Sequence, residues 1–151
     1  AFALNTGLSM VSTPYFITVD ADTYLEKNAV QKIMNHIVSC ENACVAGNLF
    51  VQNANSSLCT KMQNYDYLLS IASIKRFQGS YNSTLVAQGD FSAYKTMEVK
   101  KIGAWKDVLG EDIVLTYHLM KKGLSSSYEP RAVGYTTVPD TLNSFYNQRK
   151  R

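Results

Sequence analysis

Apolar positions along the chain change their period several times, and each change marks an element. Ala3, Leu4, Leu8 and Met10 form an apolar face interrupted by Asn5-Thr6-Gly7, which reads as the last turns of a helix. After the breaker Ser12-Thr13-Pro14, the run Tyr15-Phe16-Ile17-Thr18-Val19 predicts a buried strand of an α/β sheet with helices on both faces. That run ends abruptly in Asp20-Ala21-Asp22-Thr23. Helical spacing then returns in Val30, Ile33, Met34, Ile37 and Val38, a helix of about three turns. His36 lies off that stripe and reads as a helix-surface residue rather than a metal ligand.

Ala43 to Val51 predicts a second strand, with Gly47 a point of close approach. The polar turn Asn53–Ser57 ends in a plausible N-cap, and Leu58, Met62, Tyr65, Leu69 and Ala72 fit a helix from Leu58 to Phe77 that breaks near Gly79-Ser80. Its amide-rich and aromatic face, with Gln63, Tyr65, Asp66 and Tyr67, suits either core with a hydrogen-bonded rim or the wall of a polar cleft. Leu85-Val86-Ala87 predicts a short strand before Gln88-Gly89-Asp90 and Phe91-Ser92-Ala93-Tyr94. Thr96 to Ile102 forms a short helix stopped by Gly103, and the only tryptophan, Trp105, is expected buried with its N–H satisfied.

Glu111 and Asp112 open a strong helix with a main stripe of Ile113, Val114, Tyr117 and Met120, widened by Leu115 and Leu119, and Lys121-Lys122-Gly123 closes it. Tyr128 to Val138 alternates loosely as an edge strand. A short helix after Pro139-Asp140 carries Leu142, Phe145 and Tyr146 toward Gln148-Arg149-Lys150-Arg151.

The 151 residues have the size of one domain, and 46% hydrophobic content is enough for a continuous core. The net charge of +3 is spread along the chain, so apart from Arg149-Lys150-Arg151 nothing suggests nucleic acid. Cys40, Cys44 and Cys59 have neither zinc nor redox spacing and read as reduced thiols in a cytosolic compartment. No apolar run approaches the roughly 20 residues that span a bilayer, and no charged leader precedes the first apolar residues, so the chain itself is expected to be soluble.

The chemistry concentrates in carboxylates at element edges. Ligands of α/β sheets gather at the carboxyl ends of strands, and in an extended chain Asp20 and Asp22 point to one side and can share a hard cation. The bland reading is that they cap the next turn, and Glu111-Asp112 equally suits a plain helix N-terminus. Taken together, Asp20, Asp22, Asp112 and the terminal arginines suit transfer from a diphosphate-activated donor. An ion bridges the phosphates, a separate carboxylate accepts a proton, and guanidinium groups pair with phosphate oxygens. An aspartyl-phosphate phosphatase wants Thr or Val where Tyr24 stands, and a calcium loop lacks its glycine and closing Glu.

In order and wording these motifs resemble the inverting family-2 glycosyltransferases of GT-A fold, particularly processive membrane synthases of β-linked polysaccharides. The resemblance rests on Ala3–Leu8, Asp20-Ala21-Asp22-Thr23, Ala46-Gly47-Asn48 with Val51-Gln52-Asn53, and Gln63, Asp66 and Tyr67. It continues through Gly110-Glu111-Asp112 and the Gln-x-x-Arg of Gln148 to Arg151. It implies a truncated GT-A fold, α/β with a mixed sheet flanked by helices, as a single partial catalytic domain over residues 1–151. The uridine-binding strands and flanking membrane helices would then lie outside the chain.

By the same resemblance Asp112 is the catalytic base, and Asp20 and Asp22 bind Mg2+ or Mn2+. Asp20, Gly89, Glu111, Gln148, Arg149 and Arg151 contact donor or acceptor. The donor is a UDP-sugar, as in the N-acetylglucosamine polymer synthases that the motifs resemble. The acceptor is a growing polysaccharide, and the parent protein sits in the membrane with this part on its cytosolic face. An acid at Asp90, where many relatives carry a small residue, bears on the acceptor pocket or donor choice. A non-processive transferase acting on lipid or protein, and a catalytically silent sugar-nucleotide-binding domain, are the alternatives.

Overall fold

The computed structural model describes residues 1–79, 81 and 84–150, without the side chain of Ala72. In chain order the elements are α1 (Phe2–Met10), β1 (Tyr15–Val19), β2 (Thr23–Leu25), α2 (Ala29–Ser39) and β3 (Cys44–Val51). Next come α3 (Leu58–Tyr67), a π-helical stretch (Leu68–Lys75) and α4 (Arg76–Gly79), one continuous rod. They are followed by β4 (Phe91–Lys95), α5 (Thr96–Lys101), α6 (Glu111–Lys121), β5 (Ser126–Thr136) and α7 (Leu142–Arg149). None of these helices is long and apolar enough to cross a membrane.

Among the described residues the strands form one mixed sheet in the order β1-β4-β3-β5-β2. β3 lies at its centre, parallel to β5 and antiparallel to β4, and its residues Cys44–Leu49 are all buried. Successive side chains of a strand face opposite sides, so β3 serves two cores. Val45 and Leu49 pack with Ile33, Ile37, Ile71 and Phe91 under α2 and the π-helical stretch. Cys44 joins Leu8, Tyr94, Val99, Trp105, Leu115 and Leu119 under α1, α5 and α6. At Gly47 a Cβ would come 2.2 Å from the Phe91 ring, the close approach that the glycine allows.

Several expectations are corrected. The strand expected at Leu85–Ala87 is coil, because Ala87 donates its N–H to Thr116 Oγ1 and accepts from the Tyr94 hydroxyl, leaving no ladder partner. β4 begins instead at Phe91. β5 is interior rather than an edge, and β1, expected to be covered on both faces, is an edge strand of this sheet with half-buried side chains. Pro130, a residue normally confined to edges, fits inside β5 because the pairing with β3 jumps from Ala46↔Tyr128 to Asn48↔Val133. At this bulge the Pro130 carbonyl takes a hydrogen bond from Asn48 Nδ2.

The stripe Leu58, Met62, Tyr65, Leu69 faces outward, while Cys59, Thr60 and Gln63 are buried, Gln63 Nε2 donating to the Pro139 carbonyl at 2.7 Å. His36 is half-buried rather than open on the helix surface: it hydrogen-bonds Glu129 at 2.9 Å through Nδ1 and Ser127 Oγ at 2.7 Å through Nε2.

Candidate active site

Antiparallel pairing places Val19 opposite Phe91, so the carboxyl end of β1 meets the amino end of β4. The ladder runs one step further, the Asp20 N–H donating to the Asp90 carbonyl at 3.2 Å. Extension then stops: the Thr23 N–H closes a turn onto the Asp20 carbonyl at 3.0 Å, so strand alternation does not govern Asp22. Asp residues favour such turns. Both carboxylates are exposed at this corner.

Asp112 arrives from the other direction. Gly110 is left-handed at φ 75° and starts α6 without any side-chain cap. Asp112 therefore does not cap its own helix, as the plainer reading held. Its Oδ2 accepts the Gly89 N–H at 2.9 Å and its Oδ1 accepts the Trp105 Nε1–H at 3.1 Å. Asp112, Leu115, Thr116 and Leu119 share one helix face at i, i+3, i+4 and i+7, and the last three are buried. The inward face is thus set by a carboxylate and its successors. The expected stripe through Ile113 and Tyr117 is half exposed. A Cβ at Gly89 would stand 2.9 Å from Asp112 Oδ2, so only glycine lets this backbone meet the acid.

Negative charge is crowded here. Burial raises the Asp112 carboxyl above its ordinary value, the Gly89 and Trp105 donors pull it back, and Glu111 and Asp20 add to the rise. Burial pushes Asp90 up further, helped by the charge of Asp20 and a hydrogen bond with it and by Asp112, with Lys75 opposing. Lys75 lies under these acids, 6% exposed, its Nζ without a hydrogen-bond partner among the described residues. Burial brings it down to about 7, although Asp90, Asp112 and Cys44 favour its charge.

Gln148 and Arg149 do not touch the carboxylate cluster. They line a neighbouring cavity of about 330 Å³ with Gln63, Asp66, Tyr67 and Gln88. Arg149 Nη2 donates to Asp66 Oδ2 at 3.2 Å and its guanidinium lies over the Phe145 ring. Tyr67 joins the two regions. Its hydroxyl is raised to about 12 by burial, then by Asp90, with Arg149 opposing and Asp22 and Asp66 adding. Arg151 lies outside the described residues.

Trp105 and Lys75 are the site groups that residue patterns left unassigned, while Asp90 is marked only through the family resemblance. Trp105 is 3% exposed with its N–H satisfied, as expected, but the acceptor is the candidate base. Its seven-residue distance from Asp112 was the available signal. Nothing in the pattern marks Lys75.

Among the described residues no group of three or more His, Cys, Asp or Glu is arranged to hold a metal by itself. Asp20 and Asp22 are two exposed carboxylates beside excess negative charge, a chemistry that suits a hard divalent ion.

The mixed sheet with acids at the carboxyl end of an edge strand and at a helix start is that of a GT-A glycosyltransferase, the fold of its structural neighbour. The chain belongs to the glycosyl transferase family group 2, whose family model matches residues 15–151. Over its whole length it is 33% identical to a poly-beta-1,6-N-acetyl-D-glucosamine synthase of Staphylococcus aureus strain COL, and 32% identical to that of Staphylococcus epidermidis. It spans 37% of the length of each. In structure it resembles the mannosyltransferase PcManGT from Pyrobaculum calidifontis, solved in complex with GDP-Man and Mn2+. The TM-score is 0.70 at 17% identity, over 99% of this chain and 39% of that one, which establishes the shared fold.

Proposed function

We propose that this chain is the carboxylate-bearing part of an inverting glycosyltransferase that adds N-acetylglucosamine from a UDP-sugar to a growing β-linked polysaccharide. The observation that carries the reading is Asp112, held by two N–H donors beside Asp20 and raised from its ordinary value by burial. A carboxylate whose burial favours the protonated form is a better proton acceptor than an ordinary one. The acceptor hydroxyl gives its proton to Asp112, its oxygen bonds to the anomeric carbon from the face opposite UDP, and the bond to the diphosphate breaks with its electron pair leaving on UDP. Asp20 and Asp22 would hold a divalent ion, Mg2+ or Mn2+, which when bound neutralises charge on the departing diphosphate.

Glu111 and Gly89 line the acceptor side next to the base. Gln148, Arg149 and Arg151 bind donor or acceptor from the adjoining cavity, where a diphosphate would exchange places with Asp66 on the Arg149 guanidinium. The family resemblance implies a longer parent protein in which this part stands at the cytosolic face of a membrane. Sugar transfer by the isolated 151 residues is expected to be poor or nil.

The test is polymer formation by membranes carrying the full-length protein, given labelled UDP-N-acetylglucosamine and Mn2+, beside an Asp112→Asn control. A long product that disappears in the control supports a processive synthase with Asp112 as base. A single-sugar adduct would replace it with the non-processive reading, and absence of turnover with this donor and with UDP-glucose would leave nucleotide-sugar binding alone.

A further inference from the structure

The Asp112 carboxylate is gripped at both oxygens, and the grip on Oδ1 leads away from the site into the fold. Trp105 Nε1–H is the donor, at 3.1 Å. The Trp105 ring packs edge-on against Tyr94 and Phe16, which stack on one another, with centroids 5.7 and 6.0 Å away. Its backbone is clamped by one side chain on α1: Asn5 Nδ2 donates to the Trp105 carbonyl at 2.8 Å, and the Trp105 N–H donates to Asn5 Oδ1 at 3.1 Å. The two residues before it, Gly103 at φ 85° and Ala104 at φ 57°, are both left-handed. For alanine that conformation is disfavoured, so the surrounding contacts hold the turn that aims the indole.

A buried indole N–H needs an acceptor, and any backbone carbonyl would serve for packing alone. Here the acceptor is the one acid at this edge whose second oxygen is already held, by the Gly89 N–H. With one N–H on each oxygen the carboxylate cannot turn about its own axis, and its remaining lone pairs keep one direction. We infer that Asn5 and Trp105 form a positioning relay that fixes the rotation of the Asp112 carboxylate toward the acceptor hydroxyl, a role that rests on Asp112 being the base. Both act through Asp112. The charged groups around that carboxylate are Glu111 on its own helix, Asp20 after β1, Asp90 before β4 and Lys75 beneath, with the Tyr94 hydroxyl nearby.

The experiment compares full-length wild type, Trp105→Phe, Asn5→Leu, the double variant and Asp112→Asn in membranes with UDP-N-acetylglucosamine and Mn2+, recording kcat, KM and the pH dependence of kcat. Trp105→Phe should lower kcat about tenfold or more, the size of effect a lost hydrogen bond to a charged group produces, while KM for the donor stays within about twofold. The acid limb should move to higher pH, because a donor that favoured the ionised carboxylate is gone. Asn5→Leu should move the limb the same way by less, and the double variant should be no worse than Trp105→Phe.

If Trp105→Phe fails to fold, the sulfur isostere of tryptophan at this position removes the N–H while keeping the ring, and the same shift is expected. A fall in kcat with an unmoved acid limb, or no change at all, overturns the relay. Full activity in Asp112→Asn would overturn the assignment of the base, and the relay with it. An inactive Asp112→Asn beside an unmoved limb sinks the relay alone.

Discussion

Two buried polar clusters flank the central strands of this protein, and they are built on opposite terms. Behind the sheet, Glu129 on β5 accepts from the Arg131 N–H and Nε–H, both at 2.9 Å, and pairs with His36. His36 bonds Ser127, Ser127 takes a hydrogen bond from Asn42, and Asn42 accepts from Ser125, so each member is tied to the next. Burial alone would raise Glu129, but the Arg131 donors and His36 outweigh it and hold the acid at about 2. At the carboxylate edge the balance is reversed: Asp90 and Asp112 are pushed up and Lys75 is pushed down. A Ser–His–acid string looks like chemistry on paper, yet Ser127 is sealed in and its electrostatics are relaxed. Electrostatic conflict, rather than a familiar set of residue types, marks the site.

Substitutions can break this contrast. The largest expected effect is Asp112→Asn, which should lower sugar transfer by about a thousandfold with the thermal midpoint nearly unchanged, as read by turnover beside a melting curve. Glu129→Ala should do the reverse. It is expected to cost roughly 3 kcal/mol of stability by stranding His36 and Ser127, seen as a lower denaturation midpoint, while leaving kcat of the folded fraction intact.

The wild-type protein should show the same pairing in its pH dependence. Glu129 has its folded value, about 2, below the ordinary 4.5, so its contribution is fully present above about pH 4.5 and is lost as pH falls toward 2. Denaturation midpoints across that range should fall more steeply in wild type than in Glu129→Gln.

Gly89→Ala comes next: its methyl would press on Asp112 Oδ2, and kcat should fall about tenfold to a hundredfold with little change in melting. The smallest effect sharpens the contrast from the other side. Lys75 has a folded value, about 7, below its ordinary 10.5, so folding is penalised wherever the unfolded chain holds that proton. The penalty is complete below about pH 7 and gone above about 10.5. Lys75→Met should therefore raise stability near neutral pH by on the order of 1–2 kcal/mol, a gain that fades in alkaline buffer. An unchanged melting curve at pH 7 would mean that the ammonium is better solvated than its burial implies.

Much of the fold was legible because local patterns and tertiary demands agree. Tyr15–Val19, Cys44–Val51 and Ala29–Ser39 fall where apolar period and breakers place them. The order of strands was not legible, since pairing is set by contacts distant in sequence. Pro130 signalled an edge while a bulge made room for it in the interior. On α6 a rule of counting apolar residues chose the wrong face, because the side chain that points inward first is an acid. On α3 the buried face is polar and satisfied, so its apolar residues were free to face out. At the candidate site, Asp20 stood out at a strand end, and Asp112, which suited a plain helix cap by pattern, was singled out by the family resemblance. Lys75 could not be named, because a lysine in an apolar run looks like any solvated lysine until its helix is seen to turn it inward.

That turn belongs to the π-helical stretch Leu68–Lys75, which holds a wider winding between two α-helical segments. An α-helix advances by about 100° per residue, so each position gained or lost inside such a stretch re-aims everything beyond it. Lineages that drop a single residue between Leu68 and Ile74 would keep Tyr67 in place and swing position 75 out of the interior. The charge beneath the acids is therefore inherited through helix length as much as through residue identity, and an alignment scored column by column would record its loss as a gap rather than as the disappearance of a lysine.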